Sequence, residues 1–348
     1  MDKRKFWAGQ SVLVTGGGGF LGMWLVNMLS RLGAQVIVYD NNFLASRYAQ
    51  MIKNGGDVRF VCADITDFAM VQRVLREYEV AHVFHLGAQA LVGLAMIQPM
   101  MTFRSNIEGT WTVLEACRLS KFIKSVVVAS SDKAYGSSDI LPYQEDMPLV
   151  GRYPYDVSKA CTDLVSQSYF FTYGLPVSVT RCGNFYGGGD LHFNRIVPGT
   201  IKSLLNKEKV IVRSDGKLIR DYIYVLDVVD AYLAIAENMH TKNLGGEAFN
   251  VSAQDNYNVI DLINLIAKTM KIDDFEIVIK NEAQCEIPAQ YVATEKIQKM
   301  LGWTSRYTID QALVETIVWY QAYLNNQDLP NLDDLKLFSE QGGRHATP

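Results

Sequence analysis

Tyr155 and Lys159 stand four residues apart in YPYDVSKA, the spacing that puts two side chains on one face of a helix. A phenol titrates near about 10 and is a poor base at neutral pH. An ammonium beside it favours the phenolate and brings it into working range, so the pair fits proton removal from a hydroxyl that is being oxidised. Ser130-Ser131-Asp132-Lys133 follows the apolar run SVVVA directly. Ser131 can hydrogen-bond the reacting hydroxyl and Asp132 offers an acid. Lys133 offers either a base, where burial or a neighbouring cation lowers its pKa, or a charge that stabilises an enolate. By themselves these residues also read as a surface YxxxK and a solvated strand end. What separates the readings is whether the chain brings an oxidising group to them.

The amino-terminal stretch Ser11 to Gly22, SVLVTGGGGFLG, supplies one. A β-favouring run enters glycines 16 to 19 and 22, then a helical pattern at Leu21, Trp24, Leu25, Met28, Leu29 and Leu32, which reads strand, tight turn, helix. Gly16 permits the turn, Gly19 lets backbone N–H groups approach a pyrophosphate, and Gly22 lets the helix pack closely on the strand. A second apolar run, Gln35 to Tyr39, ends in Asp40, whose carboxylate can accept ribose hydroxyls and would repel a 2′-phosphate. The expectation is a dinucleotide site that prefers NAD to NADP.

Strand-like runs recur at 58–62, 81–86, 125–130, 176–180 and 248–251, with helical patterns between them, for example Phe103, Ile107, Thr110, Leu114 and Cys117. This alternation predicts an α/β fold, a doubly wound, Rossmann-like parallel sheet with a smaller interwoven C-terminal lobe. Residues 1–180 with about 225–255 are expected to form the dinucleotide domain, about 181–224 with 256–325 the substrate lobe, and 326–348 a loose tail. In such a sheet ligands bind outside the carboxyl ends of the strands, where Thr15 to Gly19, Asp40, Asp64-Ile65, Leu86 to Gln89, Ser130 to Lys133 and Arg181 to Asn184 fall.

A chain of 348 residues, 49% hydrophobic and 20% charged, can bury a large core, and a net charge of −4 gives no argument for nucleic acid. No apolar stretch precedes the first strand and none reaches the length of a membrane span, so no secretory signal and no membrane partner are expected. Five scattered cysteines outside any CxxC pair read as reduced thiols of a cytoplasmic protein. His82 and His85 lack carboxylate or cysteine support, so no metal is expected. Cations should meet a diphosphate, and Arg195 and Arg220 are the candidates.

Taken together, TGGGGFLG, Asp40, Asp64-Ile65, HLGAQ, Asn106 to Thr110, Ser130 to Gly136, YDVSK, RCGNFYG and RDYIYVLDVVDA resemble the extended short-chain dehydrogenase/reductase family acting on nucleotide sugars, over roughly residues 7 to 320. Within it, the 4,6-dehydratases place a hydroxyl residue, an aspartate and usually a glutamate after the fifth strand. Lysine at 133, with FWAGQ, AQALV and GGGDLHFNRIVP, is similar to the CDP-glucose 4,6-dehydratases, whereas RDYIYVLDVVDA follows the general family pattern. The resemblance implies that Phe20, Leu21, Asp64, Ile65, Leu86, Ala88, Asn106, Tyr155 and Lys159 join the glycines and Asp40 around NAD. It also implies that Gln89 and Asn184 meet a nucleotide-diphosphate sugar.

The implied cycle has Tyr155 take the 4-hydroxyl proton as hydride leaves C4, with Ser131 on the reacting oxygen and Lys159 on the ribose. Asp132 then protonates the departing 6-hydroxyl, Lys133 assists loss of the C5 proton or stabilises the enolate, and hydride returns to C6. A nucleotide-sugar epimerase needs the same loop, Tyr155 and Lys159 but no acid over C6. A binding or scaffold protein without turnover is opposed by the presence of Ser131, Tyr155 and Lys159. Trp111, Tyr169, Phe170 and Phe171 exceed what one sheet face must cover, and related enzymes pair such helices, so a homodimer is expected.

Overall fold

The computed structural model describes residues 2–42, 56–282 and 287–330. In chain order the first elements are α1 (Lys3–Trp7), β1 (Ser11–Thr15), α2 (Phe20–Arg31), β2 (Gln35–Asp40), β3 (Val58–Cys62), α3 (Phe68–Glu77) and β4 (His82–His85). After them come α4 (Val92–Ile97), α5 (Pro99–Phe103), α6 (Gly109–Arg118), β5 (Ser125–Ala129), α7 (Pro154–Tyr173) and β6 (Val177–Cys182). The chain continues through β7 (Asn184–Tyr186), α8 (Ile196–Leu205), β8 (Val210–Val212), β9 (Ile219–Tyr224), α9 (Val225–Asn238) and β10 (Ala248–Val251). Its last described elements are β11 (Asp255–Asn258), α10 (Val259–Met270), β12 (Ile277–Ile279), β13 (Ala289–Gln290), α11 (Glu295–Leu301) and α12 (Ile309–Leu324).

Two compact units result. The first comprises Met1–Cys182, Val229–Val251 and Ala293–Trp303, and the second Gly183–Val228, Ser252–Val292 and Thr304–Pro348. In the first, seven strands pair in the order β10-β6-β5-β4-β1-β2-β3, every pairing parallel. Parallel pairing forces helical crossovers over both faces, so the central strands read as continuous apolar runs. Accordingly β4 and β6 are buried at every residue. On one face Leu13, Ile37, Val83, Val126 and Val179 pack with Val71, Leu75, Val113 and Leu114 of α3 and α6 in one buried cluster. Burying any one of these side chains contributes roughly 1.5–3 kcal/mol.

The strand order reverses between β1 and β4. Successive strands run one way through β2 and β3 and the other way through β5, β6 and β10. That is the topological switch point of a Rossmann-like sheet, where the carboxyl ends open a crevice for a ligand.

Two features depart from the expected layout. The helical pattern from Phe103 to Cys117 is interrupted by a π-turn at Arg104–Glu108 between α5 and α6. A wider turn admits one extra residue, and an apolar period does not register it. Residues 293–303, expected in the smaller lobe, belong to the first unit. The Ala293 N–H donates to the Tyr143 carbonyl (2.9 Å), and the Lys296 ammonium pairs with Glu247 (2.7 Å), just before β10.

In the second unit β9 is the hub, antiparallel to β11 and parallel to β13 and β7, while β12 and β8 form a separate parallel pair. Among the described residues Cys62, Cys117, Cys161 and Cys182 are free thiols. Cys285 and the expected tail beyond residue 330 lie outside the described residues.

Candidate active site

β1 runs directly into the glycine loop. Gly16 holds a φ of +66°, and a Cβ there would come within 2.7 Å of the Gly87 nitrogen, so the loops after β1 and β4 close on each other at the switch point. A Cβ on Gly22 would overlap the Gly16 carbonyl oxygen and lie 2.7 Å from Gly17 Cα, so the first turn of α2 sits down on the loop. Any side chain at either position would fill this cradle. Gly19 is the N-cap of α2, and no side chain caps the helix. The positive end of the helix dipole therefore faces the loop, an arrangement that suits a pyrophosphate. Phe20 is half-buried and Leu21 buried in that first turn.

Asp40 ends β2, as the spacing predicts, and its carboxylate also braces the loop. One oxygen accepts from the Gly18 N–H (3.0 Å) and the other from the Asn42 N–H (2.9 Å). Each oxygen keeps a lone pair for a further donor. The sequence gives no sign of the Gly18 contact, because it joins an amide and a carboxylate from different elements.

Beneath the loop lies a polar column. His85 pairs through Nδ1 with the Thr15 hydroxyl (2.8 Å) and through Nε2 with the Thr110 hydroxyl (3.2 Å). Burial, aided by the Lys159 ammonium, pushes the imidazole down to about 3, so it stays neutral. The Gly87 N–H donates to Thr15 (3.1 Å), and the Leu86 N–H donates to the Thr15 carbonyl (3.1 Å).

Asn106, in the π-turn, is spent within the protein. Its Nδ2 donates to the Gln89 carbonyl (3.0 Å) and the Ser158 hydroxyl (2.9 Å), and its Oδ1 accepts from the Gln89 N–H (2.7 Å). The Gln89 side chain is likewise turned back, donating to the Leu91 carbonyl (3.1 Å) and the Thr102 hydroxyl (3.0 Å) and accepting from the Leu91 N–H. Both residues shape the loop around Ala88 with these bonds. Ile65 packs against Gly87 and Gly109, where an added Cβ would meet its side chain, and the Asp64 carbonyl accepts from the Tyr39 hydroxyl (2.9 Å).

The chemistry-bearing residues gather one strand further on. Ser131 caps the 3₁₀ turn Asp132–Tyr135: its hydroxyl accepts from the Lys133 N–H (3.2 Å) and donates to the Asp132 carboxylate (3.0 Å). Asp132 is buried, while Ser131 and Lys133 are half-buried. Tyr155 and Lys159 lie in the first turns of α7, both buried, as the spacing predicts. Lys159 reaches across to β5, donating from Nζ to the Ala129 carbonyl (2.7 Å), and the Ser130 hydroxyl donates back to the Lys159 carbonyl (3.0 Å). The two sequence motifs are thus tied at the carboxyl edge of the sheet. Burial lowers the Lys159 ammonium to about 8, which leaves it mostly protonated at neutral pH.

Asp156 belongs to this group and had no signal of its own in the sequence. It is buried one residue after Tyr155, and a Cβ on Gly151 would lie 2.8 Å from its Cβ, while the Gly151 N–H donates to the Ala134 carbonyl (3.2 Å). Burial pushes the Asp156 carboxyl up to about 6, with Asp132 adding to the rise and the Lys133 ammonium opposing it. Lys133 therefore shares its surroundings with two carboxyl groups. Among the described residues no group of three or more His, Cys, Asp or Glu side chains gathers to hold a metal ion.

Asn184, Arg195 and Arg220 all lie in the second unit. Asn184 opens β7, opposite Tyr222 of β9. Arg195 donates to the buried Asp190 (2.9 Å). Arg220 is buried in β9, with Nη1 donating to the Ile219 carbonyl (2.8 Å).

Residues 13–316 match the family model described as GDP-mannose 4,6 dehydratase. The chain is 30% identical over 345 residues to the CDP-glucose 4,6-dehydratase of Salmonella typhimurium, covering 94% of this chain and 95% of that one. Among solved structures it resembles DesIV, a dTDP-glucose 4,6-dehydratase of Streptomyces venezuelae with NAD and TYD bound, at a TM-score of 0.82 and 26% identity, covering 92% and 99% of the two chains. It also resembles the epimerase Mth375 of Methanothermobacter thermautotrophicus, at a TM-score of 0.86 and 26% identity, covering 94% and 96%. The chain belongs to the GDP-mannose 4,6 dehydratase family.

Proposed function

We propose that this member of the family is an NAD-dependent nucleotide-sugar 4,6-dehydratase that converts CDP-glucose to CDP-4-keto-6-deoxyglucose. The observation that carries the reading is the Ser131-Asp132-Lys133 turn tied to the Tyr155–Lys159 helix through the Ala129 and Lys159 carbonyls. The choice of CDP-glucose rests on Lys133 and on the 30% identity to a CDP-glucose enzyme.

When bound, NAD supplies a reversible hydride acceptor. The residues that would hold it are the loop from Gly16 to Gly22, with Asp40 for the ribose hydroxyls and Lys159 beside them. Tyr155 takes the proton of the C4 hydroxyl while Ser131 hydrogen-bonds the same oxygen. Once C4 carries a carbonyl, the C5 proton is acidified. Asp132 gives a proton to the departing C6 hydroxyl, and Lys133 takes the C5 proton or holds the charge of the enolate. The hydride removed from C4 would then return to C6 and a proton to C5, which gives the 4-keto-6-deoxy sugar with no net oxidation. Asn184, Arg195 and Arg220 are assigned to the sugar nucleotide on the chemistry of guanidinium and amide groups towards phosphate and hydroxyl oxygens.

The test is incubation with CDP-, dTDP-, UDP- and GDP-hexoses followed by mass spectrometry. Loss of one water from CDP-glucose without net NAD consumption is expected. An unchanged mass with altered sugar stereochemistry would sink the reading in favour of an epimerase, the reaction class to which the likeness to Mth375 points.

We also assign a homodimer through the outer faces of α4 to α7. Trp111 is 46% exposed and Phe171 73%, joined by Ile97, Met100 and Leu164. Tyr169 and Phe170, expected at the same surface, pack instead against the core of their own unit. Sedimentation equilibrium is expected to give twice the chain mass, falling towards one chain in a Trp111→Glu, Phe171→Glu variant. A monomeric wild type at micromolar concentration would remove the assignment.

A further inference from the structure

Asp163 follows Lys159 by one turn of α7, and Arg181 lies near the carboxyl end of β6. Their forked pairing is fully buried: Nε to Oδ2 at 2.7 Å and Nη2 to Oδ1 at 3.0 Å. The same guanidinium donates from Nη1 to the Tyr135 hydroxyl (2.8 Å) and the Glu145 carbonyl (3.0 Å), and its carbon stands 4.9 Å from the centre of the Tyr135 ring.

Tyr135 is the last residue of the turn that opens with Asp132 and Lys133. Its hydroxyl donates onward to Asn250 Oδ1 (2.7 Å), and its ring stacks on Tyr143 at 4.8 Å. Asn250 in turn donates to the Tyr143 carbonyl (2.9 Å), and the Tyr143 hydroxyl donates to the carbonyl of Gly136 (2.6 Å). The turn is therefore clasped on both sides of its carboxyl end.

A buried ion pair is weak evidence for added stability over apolar packing, but a bidentate fork fixes direction as well as distance. This fork grips two segments with different work. One is the helix that carries Tyr155 and Lys159, with Asp163 at the next step of the same face. The other is the turn that carries Asp132 and Lys133.

Building on the proposed dehydratase chemistry, we infer that Arg181 is a positioning residue that sets the elimination pair, Asp132 and Lys133, against the oxidation pair, Tyr155 and Lys159, with the Tyr135 hydroxyl as the point of coupling. The two half-reactions then share one substrate position only while the clasp is whole. A displacement of about 1 Å can cost roughly a hundredfold in a step that depends on alignment.

Tyr135→Phe tests this with little change in packing, since the ring and its stack remain and one hydroxyl goes. Rapid mixing of the NAD-loaded variant with the sugar nucleotide that the wild type dehydrates is followed at 340 nm and by quenched mass analysis. The expected result is C4 oxidation within about twofold of wild type and water loss slowed about tenfold or more, so that absorbance builds up during turnover. Arg181→Lys, which keeps the charge and loses the fork, shows the same split more strongly.

Equal slowing of both steps marks a merely structural role and overturns the inference, as does an unchanged water-loss step in Tyr135→Phe. If the wild type releases water from none of the sugar nucleotides, the proposed function fails by itself. The clasp is then judged by crystal structures: a 132–135 turn displaced from α7 in Tyr135→Phe supports it, and an unmoved turn overturns it.

Discussion

Tyr155→Phe is expected to lower kcat/KM by about a thousandfold, roughly 4 kcal/mol of transition-state stabilisation, and to abolish the 340 nm signal of C4 oxidation while NAD affinity stays within about threefold. The size of the effect follows from where the phenol sits. It is buried at the start of α7, one helical turn from Lys159. Lys159 is itself buried and fixed by the Ala129 carbonyl, with an ammonium that titrates at about 8 and so carries its charge at neutral pH. A cation in a site of low dielectric favours phenolate far more than it would in water. Phenylalanine keeps the ring volume, so the fold and the cradle at Gly16 and Gly22 are untouched. Stopped-flow absorbance with calorimetric NAD titration checks both parts. A phenylalanine variant that retained a tenth of wild-type turnover would take Tyr155 out of the proton-transfer step.

The second large effect separates the two halves of the reaction. Lys133→Met is expected to spare C4 oxidation and to slow water loss by about a hundredfold or more, so absorbance at 340 nm rises and stays. Lys133 is half-buried, follows Asp132 directly and lies within the electrostatic reach of Asp156. Methionine keeps the length of the stem and removes the charge. The variant carries an independent signature. The Lys133 ammonium holds the Asp156 carboxyl down against its burial, so removing it drives that carboxyl further above about 6. Carbon-13 NMR of labelled aspartate, titrated from pH 4 to 8, reads that displacement without substrate. Retained full dehydration in Lys133→Met removes the residue from the mechanism, whatever the titration shows.

Much of the site is local in origin, and that part is visible in the sequence. Strand, glycine turn and helix are written in order from Ser11 to Arg31, and the structure has them at β1, the loop and α2. The four-residue step from Tyr155 to Lys159 fixes a shared helical face before any packing occurs. The run SVVVA ends where Ser131 begins a capped turn, and Ala248 to Val251 returns to the large sheet beside β6. Where backbone period and turn chemistry decide, the residues announce themselves.

Tertiary packing decided the rest. Asn106 and Gln89 face the right loop in sequence, yet in the fold Asn106, buried in a π-turn, bonds the Gln89 backbone, and the Gln89 side chain bonds Leu91 and Thr102. Asp156 looks like any first-turn acid until Gly151 closes over it and burial pushes its carboxyl up to about 6. The return of 293–303 to the first unit depends on a backbone bond to Tyr143, 150 residues earlier in the chain. Arg181 in RCGNFYG reads as one more strand-end cation, and only the fold gives it Asp163 on one side and Tyr135 on the other. By itself, then, the sequence determined the alternation of strands and helices, the order of strand, glycine turn and helix with Asp40 closing the next strand, and the Tyr155–Lys159 and Ser131–Lys133 groups, because each is set by the residue pattern within one element and its flanking turn. Burial, the displaced titrations and the Arg181 clasp were decided only in the folded molecule, because they depend on desolvation and on partners that lie far apart along the chain.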